Sequence, residues 1–540
     1  MTNKEVAAAF QLLAKLMELY GENQFKIRSY QRAYAYLGKM GTPLIEMTEA
    51  EIGALPGVGK AITGKIGELL TSGKMNTLER FKEKTPPGIQ ELIMVKGLGV
   101  KKIKTAWETL GVESATELLY ACTENRLVEL KGFGPKTQKE IRKQLEFFLQ
   151  NRSKFIHLKV QPEAEAFLLE LRNALPDRRV ELTGAIRRCQ PIVCKIEYLI
   201  QGPSLPDLQP FQDRFQITAQ SEELLEGKLD DRLPVTLYLA PVGSFIKQWI
   251  RTTGPKELEQ KLTVDNPASE EDAFIASNLP YLTPESRDLV KTEADFPVNL
   301  VTRDHIRGVI HNHSTYSDGV DSIAEMSLYC QSKGFKYLGI TDHSQIAVYA
   351  NGLYEEDLNK QWAEIDQLNK KNADFKILKG IECDILSDGG LDYEERILEQ
   401  FDFIIASVHT NIKMDKQKAT ERVIRAVENP YTNILGHPTG RLLLGREGYP
   451  IDMQAVIDAC AANQVAIELN ASPYRLDLDW QWIPYAMEKG VMISINPDAH
   501  AKEAIDYIDF GVKIARKGWL SVDSCLNARD VNEFLEFCQK

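Results

Sequence analysis

Between residues 306 and 500 the chain repeats a short apolar run, a polar end and a longer amphipathic stretch. The runs Val309-Ile310, Leu338-Gly339-Ile340, Gly380-Ile381, Ile404-Ile405-Ala406, Ile434-Leu435, Val465-Ala466-Ile467 and Ile493-Ser494-Ile495 read as buried strands. Apolar strands alternating with helical stretches predict a parallel sheet or barrel, and seven strands fall slightly short of the usual eight. The front of the chain is patterned differently. Residues 4–20 and 27–38 gather Ala, Phe, Leu, Met and Tyr on one helical side, which predicts an all-α region.

The polar ends of the strand-like runs carry the chemistry. Six of the eight histidines, His311, His313, His343, His409, His437 and His500, stand there, accompanied by Asp318, Glu382 and Asp498. In a barrel the loops after the strand C-termini form one face, so ligands far apart in sequence converge on it. His311 and His313 face the same side because side chains alternate with period two, and Asp498 and His500 repeat that spacing. Taken singly, any of these histidines fits a hydrogen-bonded core residue, and Asp318-Gly319 an ordinary turn. Their joint placement favours a metal centre. Imidazole mixed with carboxylate suits Zn2+, Mn2+ or Fe2+ rather than Ca2+, and nine ligands would serve two or three bridged divalent ions.

A net charge of −12 does not describe a nucleic-acid binder, but the charge is unevenly spread. Residues 1–150 hold 22 Lys and Arg against 17 Asp and Glu, a balance of +5, while the remaining 43 against 60 leave −17. Bound cations would offset part of that acidic excess. The eight cysteines form no Cys-x-x-Cys pair, which argues for a reducing compartment and against a disulfide framework or a zinc finger. No signal peptide opens the chain and no apolar run reaches membrane-spanning length, so a cytoplasmic protein away from membranes is expected; a monomer is expected as well.

Three times the front region shows apolar-x-Gly-apolar-Gly between helical stretches with lysine close behind: Gly57, Gly59 and Lys60; Gly97, Gly99 and Lys101; Gly132, Gly134 and Lys136. No strand precedes these glycines and a third glycine is missing, which excludes a dinucleotide fingerprint. Paired glycines let backbone N–H groups approach a phosphate at the next helix N-terminus, a contact that positions DNA without reading its sequence. A plain glycine-containing helix connection is the alternative. The motifs resemble helix-hairpin-helix elements.

The His-Asn-His, Asp-Gly, Thr-Asp-His, Gly-Ile-Glu-Cys-Asp, Ser-Val-His, Gly-His-Pro and Asp-Ala-His motifs resemble those of a PHP (polymerase and histidinol phosphatase) domain over residues 304–540. This resemblance implies a distorted (βα)7 barrel with a trinuclear centre that hydrolyses phosphate esters. Asp318 stands where some relatives place histidine. Phe25-Lys26-Ile27-Arg28-Ser29-Tyr30, the hairpins, a central region and a PHP domain in that order resemble a bacterial family X DNA polymerase. The implied domains are 1–82, helical and lyase-like; 83–152, fingers-like with hairpins; 153–245, an α+β nucleotidyltransferase-like palm; 246–292, thumb-like; 293–303, a linker; and 304–540, the PHP domain.

Leu182-Thr183-Gly184-Ala185-Ile186-Arg187-Arg188 is similar to the family's nucleotide-binding turn, yet the expected Asp-x-Asp reads Lys195-Ile196-Glu197 and the third aspartate is Thr236. A lysine among so few carboxylates cannot hold two Mg2+ ions, so polymerisation is expected to be lost. The resemblance implies a 3′-5′ exonuclease, with abasic-site incision or 3′-phosphate removal as further activities, on DNA ends, gaps or abasic sites. It also places Lys65 at the Schiff-base position of lyase domains, against the alternative of a phosphate-binding or solvated lysine, and offers Arg441 and Arg475 as phosphate contacts. Rival readings are an active gap-filling polymerase, a small-molecule phosphatase and a DNA-end scaffold without activity.

Overall fold

The structure, a computed structural model, describes the 540 residues except 129, 131, 205, 207, 209, 210, 291–298, 373 and 540. Lys131 of the third glycine motif and positions 293–298 of the expected linker therefore lie outside the described residues. The chain divides into two compact units, Met1–Ser153 and Lys154–Lys540. Among the described residues no helix is long and apolar enough to cross a membrane.

The first unit is helical, with α1 (Asn3–Leu19), α2 (Gln24–Leu37), α3 (Glu49–Gly53), α4 (Lys60–Ser72), α5 (Asn76–Glu83), α6 (Pro87–Met94), α7 (Val100–Leu110), α8 (Ala115–Thr123) and α9 (Pro135–Asn151). Thr2 and Glu5 form a reciprocal capping box that starts α1, and Val6, Phe10, Leu13, Leu16 and Met17 bury one face of it. The glycine motifs precede α4, α7 and α9 with one shared geometry. The first glycine is left-handed each time, with φ of 76° at Gly57, 84° at Gly97 and 92° at Gly132. The second, Gly59, Gly99 or Gly134, is the N-cap, and no side chain caps any of these helices. First-turn N–H groups without a side-chain acceptor are the feature an anion uses.

In the second unit β1 (Phe155–Ile156) pairs with β3 (Ile192–Val193) beside a five-stranded sheet. That sheet contains β2 (Val180–Thr183), β4 (Ile196–Gln201), β5 (Phe215–Gln220), β6 (Leu224–Leu229) and β7 (Leu233–Ala240), in the order β2-β4-β7-β6-β5. Only β4 and β7 run parallel, and their register sets Glu197 opposite Thr236.

Seven further strands follow in sequence order: β8 (Gly308–Val309), β9 (Tyr337–Ile340), β10 (Lys376–Asp384), β11 (Phe403–Ser407), β12 (Ile434–Leu435), β13 (Ala466–Asn470) and β14 (Ile493–Asn496). Every neighbouring pair is parallel, as the apolar runs predict. A bridge between Asn312 and Ala499 nearly closes the barrel, with the His313 N–H donating to the Ala499 carbonyl at 2.8 Å. Phe403 fills part of the interior because a Cβ on Gly339 or Gly380 would lie only 2.6 or 2.4 Å from its ring. Phe534, from the C-terminal helix Val531–Cys538, packs on Phe403 and Tyr337 with ring centroids 5.4 and 5.6 Å apart. Stuffing the interior with aromatic rings lets a barrel of seven strands reach native packing density.

The two glycines of one hairpin should respond differently to alanine. Gly97→Ala forces a Cβ onto a left-handed residue and 2.5 Å from Gln144 Nε2, so chemical denaturation of the full chain should show a loss of about 1–3 kcal/mol in the transition of the helical unit. Gly99 has φ −69° and open space at its Cβ, and Gly99→Ala should leave that transition within about 0.5 kcal/mol of wild type.

Candidate metal centre

Each expected ligand is delivered by a strand end. His311 and His313 follow β8, His343 follows β9, Glu382 lies in β10, His409 follows β11, His437 follows β12, and Asp498 and His500 follow β14. Asp318 arrives on the loop after His313, where Gly319 is required because a Cβ there would sit 2.2 Å from the His313 carbonyl oxygen. All nine converge.

Glu382, 1% exposed, is the hub. Its Oε1 lies 2.9 Å from His437 Nε2, 3.2 Å from His409 Nε2 and 3.5 Å from His311 Nε2. Its Oε2 lies 3.0 Å from His343 Nδ1 and 3.6 Å from His313 Nε2. Asp498 Oδ1 reaches His313 Nε2 at 3.2 Å, and Asp318 Oδ1 reaches His500 Nε2 at 3.4 Å and His343 Nε2 at 3.6 Å. Three sets are compact enough to hold an ion: His313, Asp318, His343 and His500; His311, His313 and Glu382; and His343, Glu382 and His409.

The donor set fits metal ions better than it fits itself. His311 Nε2, both ring nitrogens of His313, His343 Nδ1 and His437 Nδ1 are buried without a hydrogen bond. Buried polar atoms without partners are costly, and so many within one cluster are what cation coordination resolves. Burial pushes His313 down to about 3, helped by the charges of His500 and His343, which keeps its nitrogens unprotonated. Burial would raise Glu382, but His409, His311 and His343 hold it well below the usual carboxylate range.

Sequence reasoning passed over the groups that orient these ligands. Glu468 Oε1 lies 2.6 Å from His311 Nδ1 while its Oε2 accepts from the His437 N–H at 2.6 Å, and Asp384 Oδ2 lies 3.1 Å from His409 Nδ1. A carboxylate on the far ring nitrogen fixes the tautomer and aims the other nitrogen at the metal. The signal was present: Asp384 repeats the period-two spacing from Glu382, and Glu468 is an acidic residue inside an apolar strand. Asp342 anchors the loop after β8 by accepting from the N–H and hydroxyl of both Ser314 and Ser317.

Arg475 is placed at the centre, with Nε 3.4 Å from Asp498 Oδ2. Arg441 is engaged elsewhere, pairing with Asp479 at 2.5 Å and donating to the Arg475 and Leu476 carbonyls, so it shapes the loop that carries Arg475. In the helical unit Lys60, Lys101 and Lys136 are exposed at the starts of α4, α7 and α9, and Lys65 is half-buried one turn into α4.

The three positions expected to form a palm site also meet, around Lys195. Lys195 Nζ lies 3.2 Å from Glu197 Oε1 and donates to Thr236 Oγ1 at 3.2 Å and to the Tyr238 hydroxyl at 3.3 Å. Tyr238 donates to Glu197 Oε1 at 3.0 Å. The arginines of the neighbouring turn are consumed as well. Arg187 grips Glu270 at 2.9 and 2.6 Å and lies over the Trp249 ring, while Arg188 pairs with Asp288 at 3.1 Å.

Family models match in three places: a helix-hairpin-helix domain over residues 1–75, a SAM-like helix-hairpin-helix tandem over 89–146 and a PHP domain over 310–472. A probable phosphatase of Thermoanaerobacter sp. strain X514 is 29% identical over 43% of this chain and 93% of its own length. The probable phosphatase YcdX of Escherichia coli O81 is 33% identical over 33% of the chain and 66% of its own length. The Bacillus subtilis DNA polymerase/3′-5′ exonuclease PolX is 33% identical over 99% of the chain and 100% of its own length. With both ends and the middle aligned to that relative, the chain belongs to the PolX family of DNA polymerase/3′-5′ exonuclease proteins.

Proposed function

We propose that this chain is a metal-dependent 3′-5′ exonuclease of DNA ends and gaps that no longer polymerises. The observation that carries the reading is the carboxylate–imidazole cluster, seven residues in compact ion-sized sets with His437 and Asp498 against them, and its unpartnered buried nitrogens. His311, His313, Asp318, His343, Glu382, His409, His437, Asp498 and His500 hold two or three divalent ions, and Arg475 contacts the scissile phosphate. Bound ions would supply an activated water and stabilise the charge that develops on the phosphate. Glu468 and Asp384 hold His311 and His409 in the donating tautomer, and the buried surround restricts bulk water. The same chemistry extends to 3′-phosphate removal and abasic-site incision. The Gly59, Gly99 and Gly134 helix N-termini, with Lys60, Lys101 and Lys136, bind the DNA backbone without reading sequence.

Loss of polymerisation rests on Lys195. Its ammonium occupies the space between Glu197 and Thr236, where two Mg2+ ions about 4 Å apart would be needed. Arg187 and Arg188 are already paired with Glu270 and Asp288. A lyase role for Lys65 is a separate proposal, and borohydride trapping on 5′-deoxyribose-phosphate DNA tests it.

End-labelled gapped DNA should shorten with Mn2+, and His343→Ala or Asp498→Ala should abolish shortening by at least about a thousandfold while DNA retention on a filter persists. Metal analysis after mild purification should find more than one ion per chain, and equal cleavage by both variants would remove the centre from the reaction. Adding all four nucleotides should never lengthen the primer. Template-dependent extension that survives in His343→Ala would assign an active palm and contradict the reading. Gly59→Ala and Gly134→Ala, at open-space N-caps, should weaken salt-sensitive DNA retention several-fold without changing cleavage of a saturating substrate.

A further inference from the structure

The loop that follows His343 carries apolar side chains outward at the edge of the candidate centre. Ile346, Val348 and Tyr349 are 45%, 73% and 63% exposed. The loop is nonetheless fixed: Ala347, Ala350 and Leu353 are buried beneath it, the Ile346 N–H donates to Asp392 Oδ2 at 2.8 Å, and Asn351 Nδ2 donates to the Ser317 carbonyl at 3.2 Å. The Leu353 N–H closes it by donating to the His343 carbonyl at 2.9 Å. A rigid backbone that presents three adjacent apolar side chains to water is suited to a binding surface.

Tyr349 joins this patch to the chemistry. Its ring centroid lies 6.2 Å from that of the ligand candidate His343. The ring thus borders the centre while much of the side chain remains open to solvent.

We propose that Tyr349 is the platform on which the terminal base of a DNA strand stacks, with Val348 supporting the adjacent nucleotide. The inference rests on the exonuclease reading and adds what that reading lacks, a means of recognising a nucleotide. Metal ions and Arg475 hold any phosphate ester. A base differs from other phosphate substituents by its π-face, and an aromatic ring accepts every base, in keeping with backbone contacts at the hairpin glycines that ignore sequence. A protein partner fits the patch less well, because the ring borders the ligand candidate His343 at 6.2 Å, where the reacting strand end must lie.

Two 3′-ended single strands separate the possibilities, one with an ordinary terminal nucleotide and one whose terminal residue is a baseless tetrahydrofuran. With Mn2+, the full-length wild type should favour the base-bearing end in kcat/KM by about tenfold or more. Tyr349→Ala should cut the two ends equally, through a higher KM on the base-bearing one, and Tyr349→Phe should keep the preference. Metal content equal to wild type establishes that the centre of each variant is intact. An unchanged preference in Tyr349→Ala overturns the proposal but leaves the exonuclease reading standing, as does an equal loss on both ends. A wild type that cuts neither end overturns both.

Discussion

Glu382 cannot be understood without the five imidazoles around it. A carboxylate in the closed end of a barrel loses its hydration, and the loss is tolerated only where opposite charge and hydrogen bonds replace water. His311, His313, His343, His409 and His437 all lie within 3.6 Å of its oxygens, yet several of their nitrogens are buried with nothing to bond. Protonating every ring would crowd like charges, as the depression of His313 by His500 and His343 illustrates. Divalent ions would resolve the conflict from both sides, neutralising Glu382, Asp318 and Asp498 while accepting the imidazole lone pairs. The rest of the barrel serves that arrangement: seven parallel strands aim their ends at one face, the bridge from Asn312 to Ala499 brings the first and last together, and Phe403 and Phe534 pack the opposite end.

The central sheet resolves the same electrostatic problem in the opposite way. Glu197 and Thr236 face each other in register on parallel strands, the arrangement in which carboxylates would gather ions, but Lys195 supplies the positive charge covalently. Tyr238 then satisfies both partners. The neighbouring arginines are committed to structure, since Glu270 is shared by Arg187 and the fully buried Arg287, while Asp288 is shared by Arg188 and the buried Lys517 of the barrel. These ion pairs tie the central sheet to its flanking segments and to the barrel.

Much of this was legible in the chain because metal ligands and strand ends obey simple periods. The seven apolar runs became the seven strands, and the His-x-His and Asp-x-His spacings converged, since parallel β-α connectivity leaves their loops little choice of face. The paired glycines were legible for a similar reason, although the pattern did not distinguish the left-handed first glycine from the capping second one. Glu468 and Asp384 left a signal in the chain, but the orienting role of each is set by a histidine partner that only the fold brings beside it. The pairing of Arg187 with Glu270 spans 83 residues, and no local spacing encodes it. Tyr349 was equally silent, as exposure next to a ligand is a property of the fold alone.

Thermal unfolding of the chelator-stripped full chain across a Mn2+ titration tests the cluster most directly. If cations complete Glu382 and its imidazoles, the barrel transition of the wild type should rise continuously with the logarithm of metal concentration, by linkage to the folded state alone. Glu382→Gln, which keeps the shape but removes the bridging charge, should flatten that dependence. A wild-type transition indifferent to Mn2+, Zn2+ and Fe2+ would contradict the account, because the buried cluster would then be complete without them.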